Sequence, residues 1–274
     1  MIGKVCLVTG ANGSLGKATA VALAQLGATV ILACRDKERG DKAKADVISA
    51  AKNSNVELFL VDLSSQESIR QMATMFSEKY DRLDVLINNA AIYKSQREMT
   101  PEGLEMMFAT NHIGPFLLTN LLLDKLKSSA PARVLVITAP STTSIDFDNL
   151  QGEQRFSSLQ AFGVTKMCNL LYTYELAGRL EGTGVTVNAV HPGLMKSSLM
   201  REAPLVMRWL TQLASTAPTK AASSLIYLAS APEMAGVTGK FFKDGKAIES
   251  NQYSHDQVIQ RQLWDVSVAL TKPR

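Results

Sequence analysis

The chain of 274 residues is short of the features that would narrow its chemistry cheaply. It has only three cysteines, Cys6, Cys34 and Cys168, widely separated and with no CxxC spacing, so neither a disulfide framework nor a thiolate metal site is indicated. Two of them fall in apolar runs, where a free thiol behaves as a small hydrophobe. Its three histidines, His112, His191 and His255, share no ligand spacing, which argues against a dedicated metal site. Charge of one sign is not concentrated anywhere. The formal charge is +4, and the densest charged run, DKERGDKAKAD after Arg35, mixes both signs as a solvated helix face does, so no nucleic-acid partner is expected. No apolar run is long enough to cross a bilayer, PFLLTNLLL being the strongest, and the first ten residues lack the apolar centre of a signal peptide, so no membrane insertion is expected. These absences together predict a reduced, cytoplasmic protein. No repeat, low-complexity tract or Pro-rich linker divides it, so residues 1–274 are read as one domain.

What is present is an alternation. Short β-branched runs (KVCLVT, TVILAC, VELFLVD, DVLINNA, RVLVIT, VTVNAV) are separated by helical patterns such as SLGKATAVALAQLG. That rhythm belongs to βαβ units and predicts an α/β fold, a Rossmann-like doubly wound parallel sheet of about seven strands flanked by helices. The stretch TPEGLEMMFATNHIGPFLLTNLLLDKLK reads as one long apolar-faced helix, and SHDQVIQRQLWDVSVAL as a terminal amphipathic helix in which Trp264 packs. Between residues 194 and 217 the pattern loosens, and PLVMRWLTQLA is either a packed helix or a lid over a small apolar substrate.

The segment VTGANGSLGKATA stands where the first strand turns into the first helix, the context that gives a glycine-rich loop its meaning. Gly10 permits the tight turn and Gly16 close helix packing, while the helix N-terminus offers free N–H groups to a pyrophosphate. Ser14 occupies the position expected to hold the middle glycine, with Gly13 just before it. At the end of the second strand, where a carboxylate would hold the ribose 2′-hydroxyl of NAD(H), the chain reads ILACRD. Arg35 offers a cation there, which favours NADP(H) over NAD(H) unless Asp36 or Glu38 claims the guanidinium. Asp62 closes VELFLVD and is placed either to meet an adenine ring or to cap the next helix.

TGANGSLGKATA, LACRD, VDLSS, DRLDVLINNA, TNHIGPFLLTNLLLD, NLQGE, Lys166 followed by MCNLL, TYELAGRL and VNAVHPG together resemble the short-chain dehydrogenases/reductases, and within them the retinol-dehydrogenase-like branch. The resemblance implies a catalytic set of Asn, Ser, Tyr and Lys, with the tyrosine as general acid. Asn111 matches the asparagine and Lys166 the lysine. Phe162 stands at the tyrosine position, one helical turn before Lys166, and no tyrosine lies between Tyr93 and Tyr172 to replace it. Ala139 stands at the serine position, leaving Thr138, Ser141 or Thr142 as substitute hydroxyls. The resemblance further assigns the cofactor to Gly10, Asn12, Gly13, Ser14, Leu15 and Gly16 in the first loop. Arg35, Asp62, Leu63, Asn89, Ala90, Lys166, Pro192, Gly193 and Ser197 complete that set, with NNAA at Asn88 to Ala91 replacing the family's NNAG. It implies homodimers or homotetramers formed through helices around 100–127 and 159–180. A missing general acid typically costs 10²–10⁴ in rate and a missing oxyanion donor about 3 kcal/mol. Three activities therefore stay open at this point: an atypical NADP(H)-linked oxidoreductase acting on an apolar alcohol or carbonyl compound, a non-redox enzyme on the same fold, and a catalytically silent nucleotide-binding homologue.

Overall fold

In a computed structural model, which describes residues 1–194, 199, 202 and 216–273, eight strands form a single sheet. They are β1 Val5–Thr9, β2 Thr29–Cys34, β3 Val56–Leu60, β4 Val85–Asn88, β5 Ala132–Ile137, β6 Val185–His191, β7 Lys240–Lys243 and β8 Lys246–Ile248. The order is β3-β2-β1-β4-β5-β6-β7-β8, parallel from β3 through β7, with β8 antiparallel at one edge. The central strands are buried on both faces, β1 over its whole length, which is why they read as continuous apolar runs rather than as alternations. Sequence order reverses between β1 and β4, and the crevice beyond the carboxyl ends of the strands at such a reversal is where an open α/β sheet takes its ligand. The edge hairpin adds a strand to the seven expected. Asp244 and Gly245 at its tip both have positive φ, the backbone that two-residue hairpins require.

Helices cover both faces. On one side lie α1 (Ser14–Gln25) and α2 (Lys37–Ala51), whose first turn is capped by Asp36 accepting from the Arg39 amide. On the other lies α3 (Gln66–Lys79), capped by Ser65. The long helix expected over residues 100–127 is instead a chain of short pieces: α4 (Met106–Phe108), a π-turn over Ala109–Ile113, α5 (Gly114–Leu121) and α6 (Leu123–Ser128). Its first residues form a turn closed by a bridge between Met99 and Glu105, and the carboxylate of Glu105 accepts from the Phe108 amide to start the helix. Then come α7 (Ser158–Arg179), α8 (Pro218–Ser230) and α9 (Gln257–Leu270). Most of the segment singled out as a lid, including all of residues 204–214, lies outside the described residues.

The three thiols are buried and unpaired, as their settings indicated. The terminal helix α9 does more than its amphipathic pattern required. It packs along α5 and α7, with the Trp264 ring 5.0 Å from Phe116 and 6.2 Å from Tyr172, and the Arg179 guanidinium 4.1 Å from the Trp264 ring. Ser267 hydrogen-bonds His112 Nε2 at 2.9 Å. The Gln66 side-chain amide donates to the Leu270 carbonyl at 2.8 Å, and Arg70 donates to that of Thr271. The face of α5 and α7 expected to meet a second copy is thus covered around Phe116 and Tyr172 by the chain's own C-terminal helix, so an assembly through this face has α9 in its contact. Trp264→Ala should lower stability by about 2 kcal/mol, less than a fully buried tryptophan because the ring is only half-buried; urea denaturation measures it, and an unchanged midpoint would show that α9 is not part of the cooperative unit.

Candidate functional site

At the crevice the glycine-rich loop is built by close approach. Gly10 has φ +63°, and a Cβ there would lie 2.9 Å from the Ala90 Cα, while one on Gly16 would lie 2.5 Å from the Gly10 carbonyl oxygen. Both glycines are therefore dictated by sterics. Thr9, wholly buried, ties the loop to the next strand: its hydroxyl accepts from the amides of Asn89 (2.9 Å) and Ala90 (3.0 Å), and the Asn89 side chain returns a bond to the Thr9 carbonyl (2.7 Å). Helix α1 then begins at an exposed Ser14 with no side-chain cap and no acidic residue in its first turn. Leu15 is buried beneath it, while Asn12 and Gly13 stay partly open. An uncapped helix start with an exposed hydroxyl, floored by close-packed glycines, suits an anionic pyrophosphate.

Arg35 is exposed just past β2, and among the described residues it has no ion-pair or hydrogen-bond partner. Of the two carboxylates that could have claimed it, Asp36 caps α2 instead, and among the described residues no ion pair or hydrogen bond joins Glu38 to it. Asp62 Oδ1 accepts from the amide (2.9 Å) and hydroxyl (2.6 Å) of Ser64, so this carboxylate shapes the turn ahead of α3, whose own cap is Ser65. Leu63 beside it is buried in the core. Past β6, Gly193 takes φ +81° after Pro192 and sits near Thr216. Ser197 lies outside the described residues.

The opposite wall is the N-terminal half of α7. Phe162 and Lys166 share a face as the spacing predicts, with the Lys166 Nζ 4.9 Å from the ring centroid. Lys166 is only 6% exposed, and among the described residues its ammonium has no hydrogen-bond or ion-pair partner. Burial alone lowers its pKa to about 8. Phe162 is met edge-on by Tyr93 at 5.6 Å, inside an apolar cluster with Met107, Ile92, Phe156, Ala161 and Leu199. Tyr93 does not replace the missing phenol, since its hydroxyl donates to Ser158 Oγ at 2.9 Å, one turn from Phe162 on the side away from Lys166.

The substitute hydroxyls proposed for the serine position are otherwise engaged. Thr138 donates to the Lys166 carbonyl and Ser141 to that of Gly163, both at 2.9 Å, which fastens the end of β5 to α7. Thr142 is exposed, and Ala139 brings only a methyl group. Asn111, 1% exposed in the π-turn, spends its whole amide on structure: Oδ1 accepts from the Ile92 amide (2.8 Å), and Nδ2 donates to the Ile92 carbonyl (2.9 Å) and Thr165 Oγ1 (3.2 Å). It positions the Ile92–Tyr93 loop over α7, and its amide N–H groups are not free to hold a water. A shallow solvent-open cleft, lined by Glu105, Gln151, Phe156, Ala161 and Thr165 among others, runs along the neighbouring strip of α7. It does not reach Lys166.

Thr9, Tyr93, Ser158 and Thr165 carry no signal in the sequence, because each acts through a partner distant in the chain. What the site can do is hold an anionic dinucleotide at one wall and present a buried amine at the other.

An α/β sheet with a crevice at its reversal and a glycine cradle at the β1–α1 turn is the class of fold that takes anionic dinucleotides. The short chain dehydrogenase pattern matches residues 4–205. Human retinol dehydrogenase 14 is 43% identical over 97% of this chain and 86% of its own length, and human retinol dehydrogenase 13 is 40% identical over 98% and 84%. Among solved structures, an uncharacterized protein from Mycobacterium Paratuberculosis superposes with a TM-score of 0.79 at 29% identity, covering 100% of this chain and 95% of its own. The Pseudomonas aeruginosa RhlG/NADP active-site complex gives 0.72 at 25% identity over 93% and 97%. The chain belongs to the short-chain dehydrogenase/reductase family and is related to its retinol dehydrogenases.

Behind the site, His112 is wholly buried against Phe108, Phe116 and Tyr172, and burial lowers its pKa to about 4 although Asn169 alongside pulls the other way. Its folded pKa lies below the ordinary value of about 6.5, so between those two values the unfolded chain takes up a proton that the folded one refuses. Stability should therefore fall as pH drops through 6.5 and level off below about 4, by about 3 kcal/mol from this group. Denaturation midpoints for His112→Gln should lose that part of the acid slope; an unaltered slope would assign it to carboxylates.

Proposed function

We propose that the protein is an NADP(H)-linked oxidoreductase acting on a small apolar alcohol or carbonyl compound, by a mechanism that dispenses with the phenolic acid. The observation that carries this reading is the unclaimed Arg35 guanidinium beside an intact glycine cradle. A cation with no internal partner at the end of β2 suits a 2′-phosphate, which a planar guanidinium can bind through two parallel bonds. NADP(H), when bound, supplies or accepts the hydride. Gly10, Asn12, Gly13, Ser14, Leu15 and Gly16 would hold its pyrophosphate, and Asp62, Leu63, Asn89, Ala90, Pro192, Gly193 and Ser197 would complete the pocket.

Lys166 is then the proton-bearing group of the site. With its pKa near 8 it is mostly charged at neutral pH yet gives up its proton far more readily than an exposed lysine, so it can donate toward a developing alkoxide. Asn111 and Thr165 fix the loop and helix around it. The cluster of Ile92, Tyr93, Met107, Phe156 and Phe162 favours an apolar substrate. A cytoplasmic location is part of this proposal. A second reading, a homologue that binds nucleotide without turnover, draws on one observation: Thr138 and Ser141 both commit their hydroxyl protons to α7 carbonyls, leaving only the exposed Thr142 of the three substitute hydroxyls uncommitted.

Calorimetric titration should show NADPH binding more tightly than NADH, and Arg35→Ala should weaken NADPH about ten- to a hundredfold while leaving NADH unchanged. Failure of both nucleotides to bind removes the oxidoreductase reading. Restoring the acid pair with Phe162→Tyr and Ala139→Ser should raise NADPH oxidation on an apolar aldehyde by about 10² or more; no gain despite intact binding would favour the silent homologue.

A further inference from the structure

Beyond β8 the chain makes a single 3₁₀ turn, Gln252–His255, before α9 begins. Three polar side chains of this stretch gather at Tyr174 on α7, eight residues past Lys166 and so about 12 Å along the helix axis. Ser250 Oγ stands at their centre, 2.7 Å from the Tyr174 hydroxyl, 2.7 Å from Ser254 Oγ and 2.9 Å from His255 Nε2. The turn holds its shape by other bonds. Asn251 Oδ1 accepts from the Tyr253 amide and its carbonyl from the Ser254 amide, Gln260 donates to the Ser254 carbonyl at 2.8 Å, and Asp256 caps α9.

The directions of the Ser250 bonds follow from the protons available. Ser254, wholly buried, spends its hydroxyl proton on the Asn251 carbonyl at 2.6 Å, so toward Ser250 it can only accept. Burial holds the Tyr174 phenol above its ordinary pKa, and its proton is there to donate to Ser250 Oγ. The single proton of Ser250 is then shared between Ser254 Oγ and His255 Nε2, a bare acceptor in the tautomer protonated at Nδ1. The imidazole is set for that contact by its stack on the Tyr174 ring, with centroids 4.7 Å apart and planes 23° from parallel. His255 is exposed and Ser250 partly so, which opens both to a small molecule from solvent.

From this geometry we propose that Ser250 and His255 form a nucleophile–base pair that hydrolyses small carboxylic esters, an activity apart from the nucleotide crevice and independent of the oxidoreductase reading. Ser250 Oγ attacks the ester carbonyl carbon and a C–O bond forms, while the Ser250 proton passes to His255 Nε2 and the carbonyl π electrons move to oxygen. Their return expels the leaving alkoxide or phenoxide, which takes the proton from Nε2 and leaves acyl-Ser250. Water then attacks the acyl carbon and gives its proton to Nε2. The Ser250 oxygen departs and recovers that proton, with the Tyr174 hydroxyl donating to it as charge develops there. Ester and water become carboxylic acid and alcohol with no change in oxidation state.

The test uses p-nitrophenyl acetate. The whole protein, without nucleotide, is mixed with the ester, p-nitrophenol release is followed by absorbance, and acetylated hydroxyls are located by peptide mass spectrometry after an acid quench. Ser250 should be acetylated about a hundredfold faster than the exposed Ser223, the gain a positioned base supplies. His255→Gln should remove about that factor, Ser250→Ala should remove the His255-dependent release of p-nitrophenol, and Tyr174→Phe should slow it several-fold, each with the fold intact by circular dichroism. Wild-type protein that neither acetylates Ser250 faster than Ser223 nor releases p-nitrophenol faster than Ser250→Ala overturns the pair. An unchanged rate in His255→Gln overturns it as well, since the serine would then react without its base.

Discussion

The Thr9 hydroxyl is the knot on which the site depends. By accepting two amides from Asn89 and Ala90 while the Asn89 side chain returns a bond to the Thr9 carbonyl, it sews the end of β1 to the end of β4, the point at which the sheet reverses its order. Two strands that are neighbours in space and about eighty residues apart in sequence thereby end in one rigid floor. Gly10 and Gly16 close the loop on that floor without a Cβ to spare. A buried hydroxyl satisfied in this way costs nothing in lost hydration, so the knot stabilises as well as shapes.

The catalytic wall is fastened by the same economy of backbone bonds. Thr138 and Ser141 reach from the end of β5 to carbonyls of α7, Thr165 reaches the Phe162 carbonyl at 2.8 Å, and Asn111 holds both polar groups of Ile92. The hydroxyls of Thr138, Ser141 and Thr165 and the amide of Asn111 are thus all engaged in holding α7 and the Ile92 loop. Phe162 packs its ring edge-on against Tyr93, which holds this face of α7 to the Ile92–Tyr93 loop.

Much of the fold was legible because β-branched runs and helical patterns alternate over the first 190 residues. The edge strand β8 was not, being three residues long, although Asp244–Gly245 was a hairpin signal. The long helix read from residue 100 was a misjudged boundary. Apolar spacing continues through the π-turn and the break at Leu122, since both lie in the core, and periodicity alone does not register a change of hydrogen-bond register. In the site, Gly10 and Gly16 were visible because the turn needs residues without a Cβ, and Arg35, Phe162 and Lys166 because each carries its own side-chain chemistry. Thr9, Tyr93 and Thr165 were invisible because their roles lie in partners that only the folded chain brings near.

The placing of α9 bears on how the molecule is made. The carbonyls of Leu270 and Thr271 receive Gln66 and Arg70, and Trp264 lies on Phe116 and Tyr172, so α9 and the residue after it finish a face begun well before it in the chain. During synthesis that face stays uncovered until α9 has cleared the ribosome. A nascent chain arrested before residue 257 therefore displays a ready apolar stripe to chaperones, and the docking of α9, rather than formation of the sheet, is the event that removes it.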